Sequence, residues 1–201
     1  EFGLTDIKLR DRLIGEAKFL RALNYFYLVR GWGAIPIQDQ DLTVRASVED
    51  VYAYIEADLL DAIAKLPLRS EYGTNDLGRA TKGAAEGLLA KVYLYQKKWQ
   101  EAYNYANNVV KSGEYGLFEN YIDAFKSDAQ YHNGKESLFE FQAKGSDASI
   151  AHGIRQYSAT QGARGDTGWG WGFNTPSQNL LDAFNAAGDV IRRDATIIFR
   201  N

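Results

Sequence analysis

The sequence predicts a mainly α-helical protein: tetratricopeptide-like helical hairpins, then an irregular, loop-rich C-terminal part carrying a few short strands. Three observations lead there. Apolar residues return at helical spacing through successive segments up to residue 111. The last two of these segments are joined only by the polar Gln96-Lys97-Lys98, too short for anything except an antiparallel helical hairpin. After residue 113 the texture changes to aromatic and irregular sequence, then to a long stretch rich in Gly, Ser, Ala and Gln. The expected organisation is a helical scaffold over 1–113, with an irregular, ligand-binding part over 114–201 packed on it.

Taken in order, residues 5–30 read as one long helix, capped by Thr5-Asp6, with Leu13, Ala17, Leu20, Leu23 and Tyr27 on one face and Gly31 and Gly33 ending it. Pro36 makes the following segment extended or looped. Ser47 followed by Asp50 resembles a capping box, and Val51, Ile55, Leu59, Ala62, Ile63 and Leu66 form a second stripe ending at Pro67. Residues 68–80 are a polar loop. Thr81 caps a third helix with Ala85, Leu88, Leu89, Val92 and Tyr93 on its face. A fourth carries Trp99, Ala102, Tyr103, Ala106 and Val109 and ends at Ser112-Gly113. Small Ala90, Ala102 and Ala106 let these two helices approach closely, with Tyr93 and Trp99 filling the gaps beside them. Further on, Ser137 to Gln142 alternates as a short strand does, and Thr175, Pro176 and Gln178 signal a helix start before Leu180, Leu181 and Phe184. Thr196 to Phe199 reads as a strand cut off as it begins.

The 81–111 hairpin follows tetratricopeptide logic, with small Ala90, aromatic Tyr93 and small Ala102 at the right separations. It departs from the pattern at Glu86, where an aromatic is usual, and in lacking the terminal proline. Composition narrows the function classes. A net charge of −3 offers no basic field for nucleic acid, and no Lys/Arg run marks a membrane-surface patch. There is no cysteine, so thiol chemistry, disulfides and cysteine metal sites are excluded. No run reaches the ~20 apolar residues of a membrane span. The chain has no methionine and no leader-like start, and reads as a processed product or fragment.

Catalytic constellations are scarce. His132 and His152 are isolated, no HExxH, GxSxG or GxxxxGK[ST] pattern occurs, and neither a metal nor a cofactor is implied. Asp58 with Asp61, and Glu49 with Asp50, fall on helix faces where solvation or capping accounts for them. The segment Tyr157 to Asn174 is different. It sets Tyr157, Trp169 and Trp171 as flat stacking platforms among Gln161, Arg164, Asp166 and Asn174, whose planar groups suit sugar hydroxyls. A plug role, with Trp169 and Trp171 packed on the helices, accounts for the same residues. The Arg164-Gly165-Asp166 tripeptide is a coincidence within a glycine-rich loop.

The order of blocks resembles the SusD/RagB family of Bacteroidetes over essentially the whole chain. The most specific pieces are FLRALNYF at Phe19–Phe26, GRATKGAA at Gly78–Ala85 and SGEYGL at Ser112–Leu117. The resemblance implies a non-catalytic lipoprotein on the outer face of the outer membrane, which captures glycans and passes them to a SusC-type TonB-dependent transporter. It implies a tetratricopeptide-like scaffold associated with that transporter, with ligand sites in the irregular remainder. The signal peptide, lipidated cysteine and opening region of the family are not among these residues, and the family continues at length past residue 201. Arg21 and Arg79, within the matching blocks, read as structural, satisfying helix ends or loop carbonyls. A scaffold for protein partners without its own glycan site is the alternative, a glycoside hydrolase a distant third, and a peptide ligand is not separated from a glycan.

Overall fold

The computed structural model describes residues 5–38, 43–126, 128–142, 160, 162, 164, 170–197 and 199. Its helices are α1 (Ile7–Trp32), α2 (Val48–Lys65), α3 (Lys82–Tyr95), α4 (Trp99–Lys111), α5 (Gln178–Ala187) and α6 (Val190–Thr196). Residues 1–117 with 132–140 form one compact unit, and 118–131 with 141–201 a second.

In the first unit the helices start where side chains satisfy orphan N–H groups. Asp6 accepts from Leu9 N at 3.1 Å, Ser47 from Asp50 N at 3.0 Å and Thr81 from Ala84 N at 3.0 Å. Gly33, at φ 69°, ends α1, so Gly31 lies inside the helix rather than stopping it. Each helix packs on the next, α1 on α2, α2 on α3 and α3 on α4. The core between them is Phe19, Phe26, Val51, Ile55, Leu59, Leu89 and Val92. Gly15 permits the closest α1–α2 approach, since a Cβ there would sit 2.9 Å from Leu66. The α3–α4 turn is as short as expected, and Lys97 adopts φ 61° to make it.

Two helix faces differ from the pattern reading. On α1 the buried set is Phe19, Ala22, Leu23, Phe26 and Val29, while Leu13, Ala17, Leu20 and Tyr27 are exposed. Large apolar residues lie on both the inward and the outward side of this helix, so periodicity alone does not choose its face. On α4, Ala102, Tyr105 and Val109 face inward; Trp99, Tyr103 and Ala106 are exposed, so Trp99 fills no gap beside α3.

Two charged residues are buried in this unit. Asp58 is 3% exposed and receives a bidentate pair from Arg21, Nε at 2.7 Å and Nη2 at 2.8 Å, with Lys18 at 4.0 Å. Neither solvation nor capping therefore accounts for Asp58, although Asp50 does serve the Ser47 cap. Arg21 and Arg79 are structural, but through carboxylates rather than helix ends or loop carbonyls: Arg79 pairs with Glu16 at 2.9 Å and Asp76 at 2.7 Å. Glu86 is also buried, and burial pushes its carboxyl above the usual range against the opposing influence of Lys82 and a hydrogen bond with Asn108.

Ser137–Gln142 is not a strand; among the described residues the one β pairing is the antiparallel bridge Ile35–Ala46. The segment finds no sheet edge and instead fills helix surfaces. Leu138 lies over Gly87, and Phe139 meets Phe19 edge-on at 4.9 Å. Thr196 closes α6 instead of opening a strand, and Ile198 lies outside the described residues.

In the second unit α5 starts two residues later than Thr175 and Pro176 suggest. Ser177 is the cap, accepting from Leu180 N at 3.3 Å, which places Pro176 ahead of the helix. Gly188, at φ 65°, turns α5 into α6, where Asp189 caps Arg192 N at 3.1 Å. The 3-10 turn Tyr121–Phe125 lies against α6.

Two outcomes test the buried charges. Arg21→Met leaves Asp58 buried without its main partner and is expected to cost about 3 kcal/mol or more in urea unfolding, while Arg21→Met with Asp58→Leu recovers most of the loss. Because the folded-state pKa of Glu86 is raised, its unfavourable contribution is absent at acid pH and grows as pH rises past the ordinary glutamate value. Glu86→Gln is therefore expected to raise Tm at pH 7 and to gain little at pH 4.

Candidate functional site

The predicted aromatic loop is described only in part. Arg164, Trp171 and Asn174 are placed, whereas Tyr157, Gln161, Asp166 and Trp169 lie outside the described residues, as does His152. What is placed is a doubled-back segment. Gly172 N donates to Gly162 O at 3.0 Å and Phe173 N to Thr160 O at 3.1 Å. Arg164 Nε donates to Trp171 O at 2.9 Å, so this guanidinium braces the backbone that carries the indole. Glycine is needed at both crossing points: a Cβ on Gly170 would run into the Gly162 backbone, and Gly172 has φ 67°.

The consequence is a pair of rings held on a fixed backbone. Trp171 is 50% exposed and Phe173 71% exposed, and they meet edge-on with centroids 6.0 Å apart. Asn174 follows, exposed. An apolar platform beside a planar amide can hold a flat, hydroxyl-edged ligand.

A second candidate, missed in the sequence, lies within the first unit. A groove of about 630 Å³ runs along the outer face of α1, with Asn24, Tyr25, Leu28 and Trp32 on one wall and Pro36, Gln38 and Arg45 on the other. Its floor is fixed. Tyr25 accepts from Gln38 N at 2.7 Å and packs edge-on against Tyr54 at 5.3 Å, and Tyr54 lies under the Arg21 guanidinium at 4.7 Å. Trp32 is 66% exposed. The signal was available: Ala17, Arg21, Asn24, Leu28 and Trp32 recur at helical spacing, but Trp32 sits between two glycines and reads as loop.

No group of three or more His, Cys, Asp or Glu able to hold a metal occurs among the described residues, and no helix among them is long and apolar enough to cross a membrane. His132 is exposed.

Comparison with known proteins gives a consistent family signal. Residues 5–94 match the SusD-like family model described as starch-binding and associating with the outer membrane. A SusD-like protein of Bacteroides ovatus is 36% identical over 158 residues, covering 70% of this chain and 28% of the relative. The starch-binding protein SusD of Bacteroides thetaiotaomicron is 33% identical over 138 residues, covering 63% and 24%. A solved laminarin-binding SusD-like protein superposes with a TM-score of 0.80 at 29% identity, over 96% of this chain and 47% of that one. The chain thus spans about a quarter of the length of these two curated relatives.

The brace on Trp171 is testable. Gly170→Ala is expected to open the 160–173 pairing, seen as faster amide exchange at Gly172 and Phe173 with α1–α4 unchanged; unchanged exchange at both amides would contradict the geometry.

Proposed function

Because this chain belongs to the SusD/RagB family, we propose that it binds extracellular glycans without catalysis at the cell surface, for delivery to a SusC-type TonB-dependent transporter. The observation that carries this reading is the braced, solvent-facing Trp171–Phe173 pair beside Asn174. Tyr157, Gln161, Asp166 and Trp169 complete the proposed site with Arg164. Exposed large rings cost hydrophobic free energy, about 25 cal/mol for each Å² left in water, which covering by a sugar face recovers. The relatives described as starch-binding and laminarin-binding support a saccharide as the covering group. A lipid anchor facing the exterior of the outer membrane belongs to the same reading, supported by the family's association with that membrane.

The non-catalytic part of this reading draws support from carboxylates of the first unit. There Asp58 is held by Arg21 and Glu16 by Arg79, so both carboxylates serve structural pairs. A second reading, a scaffold for protein partners, draws on one observation: Trp99, Tyr103, Ala106 and Val110 form an exposed apolar stripe down α4.

Affinity electrophoresis through gels containing neutral polysaccharides separates the two. Retardation is expected for this chain and is expected to be lost, by tenfold or more in affinity, on Trp171→Ala. Retardation unaffected by Trp171→Ala and Phe173→Ala would remove the proposed site, and no retardation by any glycan, with a transporter complex still formed, would favour the scaffold.

A further inference from the structure

The α1 groove carries chemistry that the Trp171 segment does not. The large indole of Trp32 stands at its rim with no ring partner among the described residues. Arg45, on the facing wall, has no ion-pair or hydrogen-bond partner among the described residues, and neither has the Gln38 carboxamide. Asn24, which lines the groove, gives its Nδ2 to Leu20 O at 2.7 Å, leaving its carbonyl oxygen as an acceptor. Among the described residues no carboxylate lines the groove. The other guanidinium there, Arg21, is held by Asp58 beneath it.

A flat apolar platform, hydroxyl partners and one uncommitted guanidinium describe a ligand with three matching parts: an apolar ring face, hydroxyls and a carboxylate. We propose that this groove is a second saccharide site, selective for acidic oligosaccharides built from hexuronate units. The pyranose face lies on Trp32, the carboxylate is taken by the fork of Arg45, and ring hydroxyls meet Asn24 and Gln38. A groove of about 630 Å³ accommodates a short oligomer. The floor needs no rearrangement to receive it, because Tyr25 is pinned by Gln38 N and Tyr54, so little binding free energy is lost to ordering. This inference rests on the glycan-binding reading and adds a ligand class and a place to it.

The test compares the full chain with its Trp32→Ala, Arg45→Gln and Trp171→Ala variants. Each is titrated calorimetrically with tetramers of galacturonate, glucuronate and mannuronate and with neutral gluco- and galacto-tetraoses. Trp32 and Arg45 are exposed, so the variants are expected to keep the parent Tm, which circular dichroism checks. At least one uronate is expected to bind the parent more tightly than any neutral tetramer. Arg45→Gln is expected to weaken that binding about ten- to hundredfold and to remove its salt dependence, while leaving neutral binding unchanged. Trp32→Ala is expected to abolish it, and Trp171→Ala to leave it in place. Uronate binding no tighter than neutral binding, or insensitive to Arg45→Gln, overturns the groove proposal while neutral binding lost on Trp171→Ala preserves the general reading. Failure of every acidic and neutral glycan to bind overturns both.

Discussion

The first unit is organised around one electrostatic constraint: the Asp58 carboxylate is buried between α1 and α2, and a carboxylate in that place must be paired. Arg21 reaches across to do so with both arms of its fork, which fixes the axial register of the two helices. The same guanidinium covers Tyr54, Tyr54 meets Tyr25, and Tyr25 takes the Gln38 amide. A pairing demanded by burial thus extends, ring by ring, to the loop that forms one wall of the α1 groove. Gly15 completes the arrangement by letting Leu66 close on α1 where any larger residue would hold the helices apart.

The sequence blocks that carry the family resemblance meet one another in space. Thr81 caps α3 and its hydroxyl shares a 2.6 Å hydrogen bond with the Tyr115 hydroxyl, while the Tyr115 ring occupies the room that Gly83 leaves. One block supplies the cap and the missing side chain, and the other supplies the ring that fills the gap. Burial raises the Tyr115 phenol, so it stays protonated for this bond at any ordinary pH. Phe19, which opens the first block, meets Phe139 edge-on. Residue types at such contacts are narrowly determined because both partners lose when either changes.

Legibility in the sequence followed how local each determinant is. Caps at Asp6, Ser47 and Thr81 and the three-residue α3–α4 turn are settled within a few residues, and the reading of them holds. The inward faces of α1 and α4 are settled by distant packing. On α4 both the Tyr103 and the Tyr105 side offer an aromatic stripe, and only the position of Tyr93, 5.7 Å from Tyr105, decides between them. Alternation over Ser137–Gln142 is a necessary but insufficient condition for a strand, since it requires a neighbouring edge, and helix surface was the neighbour available. Asp58 looked like any helix-surface acid because burial leaves no local mark. In the 157–174 segment, composition identified the aromatic and glycine positions, but Arg164 as a brace on the Trp171 carbonyl depends on how the chain doubles back.

The exposed aromatic residues divide by what accompanies them, and that division separates their roles. Along α4 the companions of Trp99 are Tyr103, Ala106 and Val110, a continuous apolar line at the spacing with which one helix meets another. Such a surface offers little directional bonding and suits a packed protein element. Trp171 and Trp32 stand instead beside planar polar groups, an amide in one case and an amide with a guanidinium in the other, on backbones held from beneath. Rings so accompanied suit ligands that are apolar on one face and hydroxylated at the edge. In the proposed groove site the uncommitted charge of Arg45 adds selection by ionisation to the stacking surface that Trp32 offers.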